Sequence, residues 1–305
     1  PPSLRNLAID DVAPVSDIVG TDRETTIQVT LRNTGRESVT PTQLTLKVED
    51  HELVNRRIGQ ILPGATRVIE FKHGFSKAGT QMLQASLEAH DDIALDDSAT
   101  RILHVLGSLD VLLVEGNPGV RFKDQSTGFL NAALRPEIQL KVADATSAKP
   151  RRFLVSPKVE AASVTARRTS FRDCSVVVLA DVPQLPQDVA DRLAEFVANG
   201  GGLLITPGAN IRPEFYNAWT WKGERVIPLP LRTFNQPSLF RRRPSLSTET
   251  FVGKTVRNLN AQNDLGRAVI AGWWQLDSSE HPQNVEASLT TGDPFLAVGN
   301  LGRGK

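Results

Sequence analysis

Cys174 is the only cysteine, hence the only thiol nucleophile of the chain. It precedes the apolar run Ser175-Val176-Val177-Val178-Leu179-Ala180 and so falls at the N-terminal end of a predicted strand, whereas ligands of open α/β sheets gather beyond the carboxyl ends. It reads as a buried structural thiol. His281-Pro282 supplies an imidazole base, but Gln283 stands where a carboxylate would orient it, and a polar loop is expected there. Asp91, Asp92, Asp96 and Asp97 gather four carboxylates that could ligate calcium; their spacing lacks the Gly and terminal Glu of an EF-hand, so a solvated turn is the favoured reading. Arg241-Arg242-Arg243 could meet phosphate or an acidic partner, yet without a wider basic field it reads as a solvated loop. Gly200-Gly201-Gly202 precedes a strand instead of linking a strand to a helix, so it turns the chain and cradles no phosphate. Phe215, Tyr216, Trp219 and Trp221 include two of the four tryptophans and the only tyrosine. Exposed, they would line a sugar or peptide groove; buried, they would cover an edge of the core, which is the favoured reading.

Composition removes several function classes. Lys+Arg 35 against Asp+Glu 34 leaves a net charge of +1, unlike the basic footprint of a nucleic-acid-binding protein. No apolar run approaches the ~18–20 residues of a membrane helix. One cysteine excludes an internal disulfide and a multi-cysteine zinc site, and the five histidines form no close ligand pair, so neither metal nor cofactor is expected. The chain begins with Pro1-Pro2 and stops at Gly304-Lys305 just after an apparent strand turn. It is read as a piece of a longer protein, truncated at the C-terminus, so the absence of a leader or anchor from it says nothing about the parent.

The elements that must position these residues divide into two kinds. Over residues 7–105 the apolar pattern has period two: Ile27, Val29 and Leu31; Leu44, Leu46 and Val48; Leu83, Ala85, Leu87 and Ala89. Turn residues separate the runs at Asn33-Thr34-Gly35, where glycine is expected to take a positive φ, and at Pro63-Gly64. Six or seven strands make a small immunoglobulin-like β-sandwich. After Gly107 the runs become continuously apolar, as in Leu109-Asp110-Val111-Leu112-Leu113-Val114, which suits parallel strands covered on both faces. Residues 138–143 offer a weaker strand. Helices are expected over residues 126–134 and 187–199, the latter burying Val189, Leu193, Phe196 and Val197 and ending at a left-handed Gly200. A strand then restarts at 203–206. Residues 209–266 look irregular, and 285–301 read as a hairpin broken at Thr291-Gly292-Asp293. Residues 1–105 carry 11 basic and 15 acidic residues, net −4, leaving +5 for the remainder. The expected domains are a sandwich over 1–106 and an α/β domain over 107–305.

The first part, with Leu31-Arg32-Asn33-Thr34-Gly35, Leu62-Pro63-Gly64, Phe71 and Asp91-Asp92-Ile93-Ala94-Leu95-Asp96-Asp97, resembles the bacterial immunoglobulin-like cell-adhesion-related (CARDB) domain. The second is similar to the class I glutamine amidotransferase-like domain, of flavodoxin-like α/β fold, in bacterial membrane proteins of the aerotolerance-regulator type, which carry a von Willebrand factor A domain. The phrases that carry this are Asp110-Val111-Leu112-Leu113-Val114-Glu115-Gly116, Val177-Val178-Leu179-Ala180-Asp181-Val182, Phe196-Val197-Ala198-Asn199-Gly200-Gly201-Gly202-Leu203-Leu204-Ile205, Phe215-Tyr216-Asn217, and Pro294-Phe295-Leu296 with Gly302-Arg303-Gly304.

That resemblance implies a cysteine on the turn after strand 203–205, backed by a His–Glu pair. Here Thr206 or Pro207 occupies the position. The expectation is therefore a non-catalytic domain with a vestigial pocket at Glu115, Asn117, Asp181, Thr206 and Asn210. The whole chain would be an interaction or assembly segment, extracytoplasmic (periplasmic), of a membrane-anchored bacterial protein, with other proteins of a membrane-associated assembly as partners. Two alternatives stand beside this: a hydrolase or amidotransferase-like enzyme using a non-cysteine site at the strand ends, and a glycan-binding module using Trp219 and Trp221.

Overall fold

The structure is a computed structural model describing residues 4–16, 18–21, 23–49, 51–135, 154–237, 243–253, 256 and 264–305. The chain divides into two compact units, Pro1–Leu109 with Thr146–Leu154, and Asp110–Ala145 with Val155–Lys305.

The first unit is built from eight strands: β1 (Leu7–Pro14), β2 (Val19–Gly20), β3 (Glu24–Asn33), β4 (Gln43–Val48), β5 (His51–Arg56), β6 (Thr66–Gly74), β7 (Gly79–Glu88) and β8 (Ser98–Leu106). They form two sheets, ordered β1-β3-β6 and β2-β8-β7-β4-β5. The period-two pattern does what half-buried strands require, since along β3 Ile27, Val29 and Leu31 are buried while their neighbours are not. These side chains meet Leu44, Leu46, Leu83 and Phe71 in one core drawn from both sheets, which makes the unit an immunoglobulin-like sandwich. Fully burying a side chain of Phe71's size contributes about 1.5–3 kcal/mol.

The strand count exceeds the six or seven expected because two-residue β2 and the short β5 carry too few alternations to register as strands. Gly64 has the left-handed backbone expected of its turn, with φ 72°. Gly35 does not have a positive φ. A Cβ there would lie 2.5 Å from the backbone nitrogen of Asn6, so close approach of two chains, and not turn geometry, demands glycine.

The second unit holds a four-stranded sheet, ordered β10-β9-β11-β12, of β9 (Leu109–Glu115), β10 (Val155–Ala161), β11 (Val176–Ala180) and β12 (Gly202–Thr206). β9, β11 and β12 run parallel, and Glu115, Ala180 and Thr206 are aligned at their carboxyl ends. α1 (Gly128–Leu134) and the four-residue α2 (Ala162–Thr165) flank β10 in sequence. α3 (Gln187–Ala198) joins β11 to β12; it buries Val189, Ala190, Leu193, Ala194 and Val197, while Phe196 is only partly buried. Gly200, at φ 111°, turns the chain after it.

Residues 209–266 are less irregular than expected. They contain α4 (Pro213–Ala218), the hairpin β13 (Thr220–Trp221) with β14 (Glu224–Arg225), and the short strands β15 (Leu231–Asn235) and β16 (Leu246–Ser247). Such short elements leave no periodicity to read, and their partners lie far along the chain: β15 pairs with β17 (Trp273–Leu276), and β16 with β18 (Val285–Leu289). β18 and β19 (Pro294–Ala297) form the expected hairpin, with Gly292 at φ 89°. The weak strand at 138–143 lies outside the described residues.

Candidate functional site

The carboxyl ends of β9, β11 and β12 bring together all five residues of the expected vestigial pocket. The geometry shows two carboxylates fastening loops. Glu115, 5% exposed, accepts from the amides of Asn117 and Ser126 through Oε1, both at 2.9 Å. Its Oε2 accepts from the Thr127 amide at 2.8 Å and the Thr127 hydroxyl at 2.6 Å. Burial alone would raise the Glu115 pKa, but the bonds from Thr127, Asn117 and Ser126 outweigh it and hold the carboxyl below its ordinary value. One anion thus organises both the turn after β9 and the entry to α1.

Asp181, 7% exposed, clamps the next loop: Oδ1 accepts the Asn210 amide at 2.9 Å and Oδ2 the Asn210 side-chain amide at 2.6 Å. Its backbone is left-handed, at φ 52°. Gly116 lets the two clamps sit side by side, because a Cβ there would lie 2.0 Å from the Asp181 carbonyl oxygen.

Thr206 is exposed, and its carbonyl accepts from the Asp181 amide at 3.0 Å. Among the described residues its hydroxyl has no histidine or carboxylate bonded to it. A hydroxyl without a base is a weak nucleophile at neutral pH. Pro207 lines an apolar cavity of about 620 Å³ beside β12, whose walls include Leu203, Ile205, Trp274 and Phe295 and whose one charged lining residue is Lys305. That cavity therefore supplies shape, with Tyr216 and Lys305 as the only ionisable groups among its lining residues.

Cys174 lies before β11, at the end of the sheet opposite the aligned carboxyl ends. It is half-buried, not fully buried as expected, with Sγ 3.7 Å from Arg168 Nη2 and 3.6 Å from Asp173 Oδ1. Burial, then the Asp173 charge, pushes the thiol up to about 11 against the opposing pull of Arg168. It is held as the unreactive thiol. His281 is exposed, its ring 3.5 Å from the Gln283 side chain. Arg243 is exposed, and Arg241 and Arg242 lie outside the described residues.

The aromatic group is mostly interior. Tyr216 is fully buried, donates its hydroxyl to the Val182 carbonyl at 2.6 Å, and has its pKa pushed up by burial and then by Asp181. Trp219 is 3% exposed and stacks near Phe215 with ring centroids 5.6 Å apart. Phe215 and Trp221 pack against the same core, with Lys222 Nζ 5.8 Å above the Trp221 ring. Trp219 has no face open to a sugar.

The acidic turn of the first unit is the feature whose structure differs most from expectation. It is not simply solvated. Asp91 Oδ2 accepts from the Leu7 amide at 2.7 Å, Asp92 Oδ2 from the Arg5 amide at 2.8 Å, and Asp96 Oδ2 from the Asn6 side-chain amide at 2.8 Å. The turn is therefore bound to the start of β1. Asn6 was not singled out by the sequence, because a lone asparagine ahead of a strand carries no spacing signal.

A family model for CARDB matches residues 5–98, the stretch that contains β1 to β7 and this turn. Residues 5–98 are a CARDB domain. The CARDB domain of a Pyrococcus furiosus protein, solved in complex with di-metal ions, is similar at 17% identity and TM-score 0.31, covering 33% of this chain and 89% of that one. A domain of a Methanosarcina acetivorans cell-surface protein is similar at 17% identity and TM-score 0.28, covering 32% and 93%. A β-glucosidase from Listeria innocua is similar at 9% identity and TM-score 0.26, covering 35% and 16%. No curated protein matches the chain. No helix among the described residues is long and apolar enough to cross a membrane.

Proposed function

We propose that the chain is a non-catalytic interaction or assembly segment. In it the CARDB domain, an adhesion-type module, precedes an amidotransferase-like α/β domain that has lost its nucleophile. The observation that carries this is that every oxygen of the strand-end carboxylates is engaged by a loop: Glu115 receives four hydrogen bonds and Asp181 two, one on each oxygen. A general base needs a lone pair facing the substrate, and carboxylates whose oxygens all hold loops in place are committed to structure. The sheet order supports the flavodoxin-like assignment, since β10-β9-β11-β12 is the second-first-third-fourth order of that fold. The position of Thr206-Pro207 after β12 supports loss of the cysteine.

In this reading the segment belongs to a membrane-anchored bacterial protein and works on the extracytoplasmic side, holding other proteins of an assembly. The test is turnover. Purified protein incubated with glutamine, and separately with activated ester and amide substrates, is expected to release product no faster than buffer. Turnover that disappears in Thr206→Ala would overturn the reading. Fractionation of cells carrying the parent protein tests location, and recovery in the soluble cytoplasmic fraction would remove the membrane part of the proposal.

A further inference from the structure

The hydrogen bonds that tie the 91–97 turn to β1 leave a remainder. Asn6 is 2% exposed, and its side-chain nitrogen is engaged by Thr34 Oγ1 at 2.7 Å and Asp96 Oδ2 at 2.8 Å. Its Oδ1 is buried and accepts nothing from any described residue. The same is true of Asp96 Oδ1 and Asp97 Oδ1. Three buried oxygens are thus left without donors within one short turn and the residue bonded to it. A buried acceptor without a partner destabilises the fold, and more so when it is charged. Among the described residues no lysine or arginine forms an ion pair with Asp91, Asp96 or Asp97.

We propose that Asn6, Asp96 and Asp97 form an oxygen-only site for a calcium-class divalent cation, with the three Oδ1 atoms as protein ligands. The donor set decides the class. It contains an amide carbonyl and carboxylates without imidazole or thiolate, which suits a hard cation and not zinc or copper. The turn is irregular, and calcium tolerates irregular geometry where magnesium requires a near-ideal octahedron. No three acidic, histidine or cysteine side chains among the described residues converge on one point. The site is accordingly completed by the Asn6 amide and by solvent, which places its affinity with extracellular modules, at a Kd of about 10⁻⁴–10⁻³ M. A bound cation would pin the start of β1 to the turn that already holds it through Asp91 and Asp92.

The test uses the full chain, stripped with chelator, with calcium chloride as the probe in titration calorimetry and thermal melting. Wild type is expected to bind saturably in the range given and to melt at higher temperature with calcium. Asp96→Asn and Asp97→Asn are each expected to weaken binding at least ~10-fold, as loss of a charged ligand from a weak site does. Asp97→Asn without calcium is expected to melt no lower than wild type, because it removes like-charge repulsion, which separates lost binding from lost folding. Asp124→Asn, in the other unit, is expected to bind as wild type does. No saturable binding by ~10 mM, ten times the weak end of that range, overturns the proposal. So does calcium binding that survives unchanged in both Asp96→Asn and Asp97→Asn.

Discussion

Two groups of carboxylates stand at comparable places, each where a strand gives way to a loop, and the chain treats them oppositely. In the second unit, Glu115 and Asp181 occupy the carboxyl ends of parallel strands, and their oxygens are engaged by backbone and side-chain donors of adjoining loops. In the CARDB domain, the 91–97 turn reads as a solvated acidic run, yet Asp96 and Asp97 keep buried oxygens that no donor among the described residues meets. Position in the fold therefore says less about chemistry than how many lone pairs remain free. A carboxylate with both oxygens engaged by loop donors is a structural cross-link. One with a buried and unfilled oxygen has unused capacity to hold a cation.

The largest effect is expected at Glu115. Glu115→Ala removes the acceptor of four hydrogen bonds and leaves the amides of Ser126 and Thr127 without that partner in a largely buried corner. Charged hydrogen bonds are worth about 1.5–3 kcal/mol each but are not additive, so a loss of roughly 3–4 kcal/mol is expected. All four tryptophans, Trp219, Trp221, Trp273 and Trp274, lie in this unit, so urea unfolding followed by tryptophan fluorescence reads it directly. A loss under about 1 kcal/mol, the value of one ordinary hydrogen bond, would place Glu115 outside the clamp.

The same carboxylate sets a pH dependence. Its folded pKa lies below the ordinary 4.5, so the folded state binds its proton less readily than the unfolded chain does. The stability it contributes is fully present above the unfolded value and is lost as pH falls through the folded one. Denaturation midpoints by tryptophan fluorescence should therefore fall as pH drops below about 4.5, the unfolded value, and Glu115→Gln should flatten that slope. An unchanged slope in Glu115→Gln would assign the acid sensitivity to other carboxylates.

Much of this was legible in the chain, and the limits have physical causes. The alternation in β3 and the i, i+4, i+8 faces of α3 report burial directly, because each element repeats long enough for its period to show. The pocket residues Glu115, Asp181 and Thr206 were placed together because parallel strands in register align their ends. Their role was not legible. Whether a carboxylate faces solvent or a loop amide depends on contacts such as Asp181 to Asn210, 29 residues apart, which no local pattern encodes. Asn6 was missed for the same reason, since its significance comes from Asp96, 90 residues away. Gly35 was recognised as required but for the wrong cause, a turn conformation in place of backbone contact with Asn6.

A matched pair of substitutions sharpens the contrast between the two groups. Asp181→Asn preserves shape, and asparagine tolerates the left-handed backbone found there, so it isolates the loss of the charge-assisted bonds to Asn210. A cost of about 1–2 kcal/mol is expected, against none for Asp97→Asn in calcium-free buffer. Calorimetry on both variants would collapse the distinction if the costs were equal.

The smallest effect is expected at Thr206, and its smallness is informative. The side chain is exposed at the end of β12 and takes part in no hydrogen bond to a base among the described residues. Only its backbone carbonyl, bonded to the Asp181 amide, joins the corner, and substitution leaves that intact. Thr206→Ala should change stability by no more than about 0.5 kcal/mol, as exposed substitutions do. It should also leave the background release from glutamine unaltered. A Thr206→Ala protein that is equally stable but slower than wild type would mean that the hydroxyl finds a base when substrate is present. The strand ends would then combine filled carboxylates with a working nucleophile, and counting free lone pairs would no longer separate structural from functional corners of this chain.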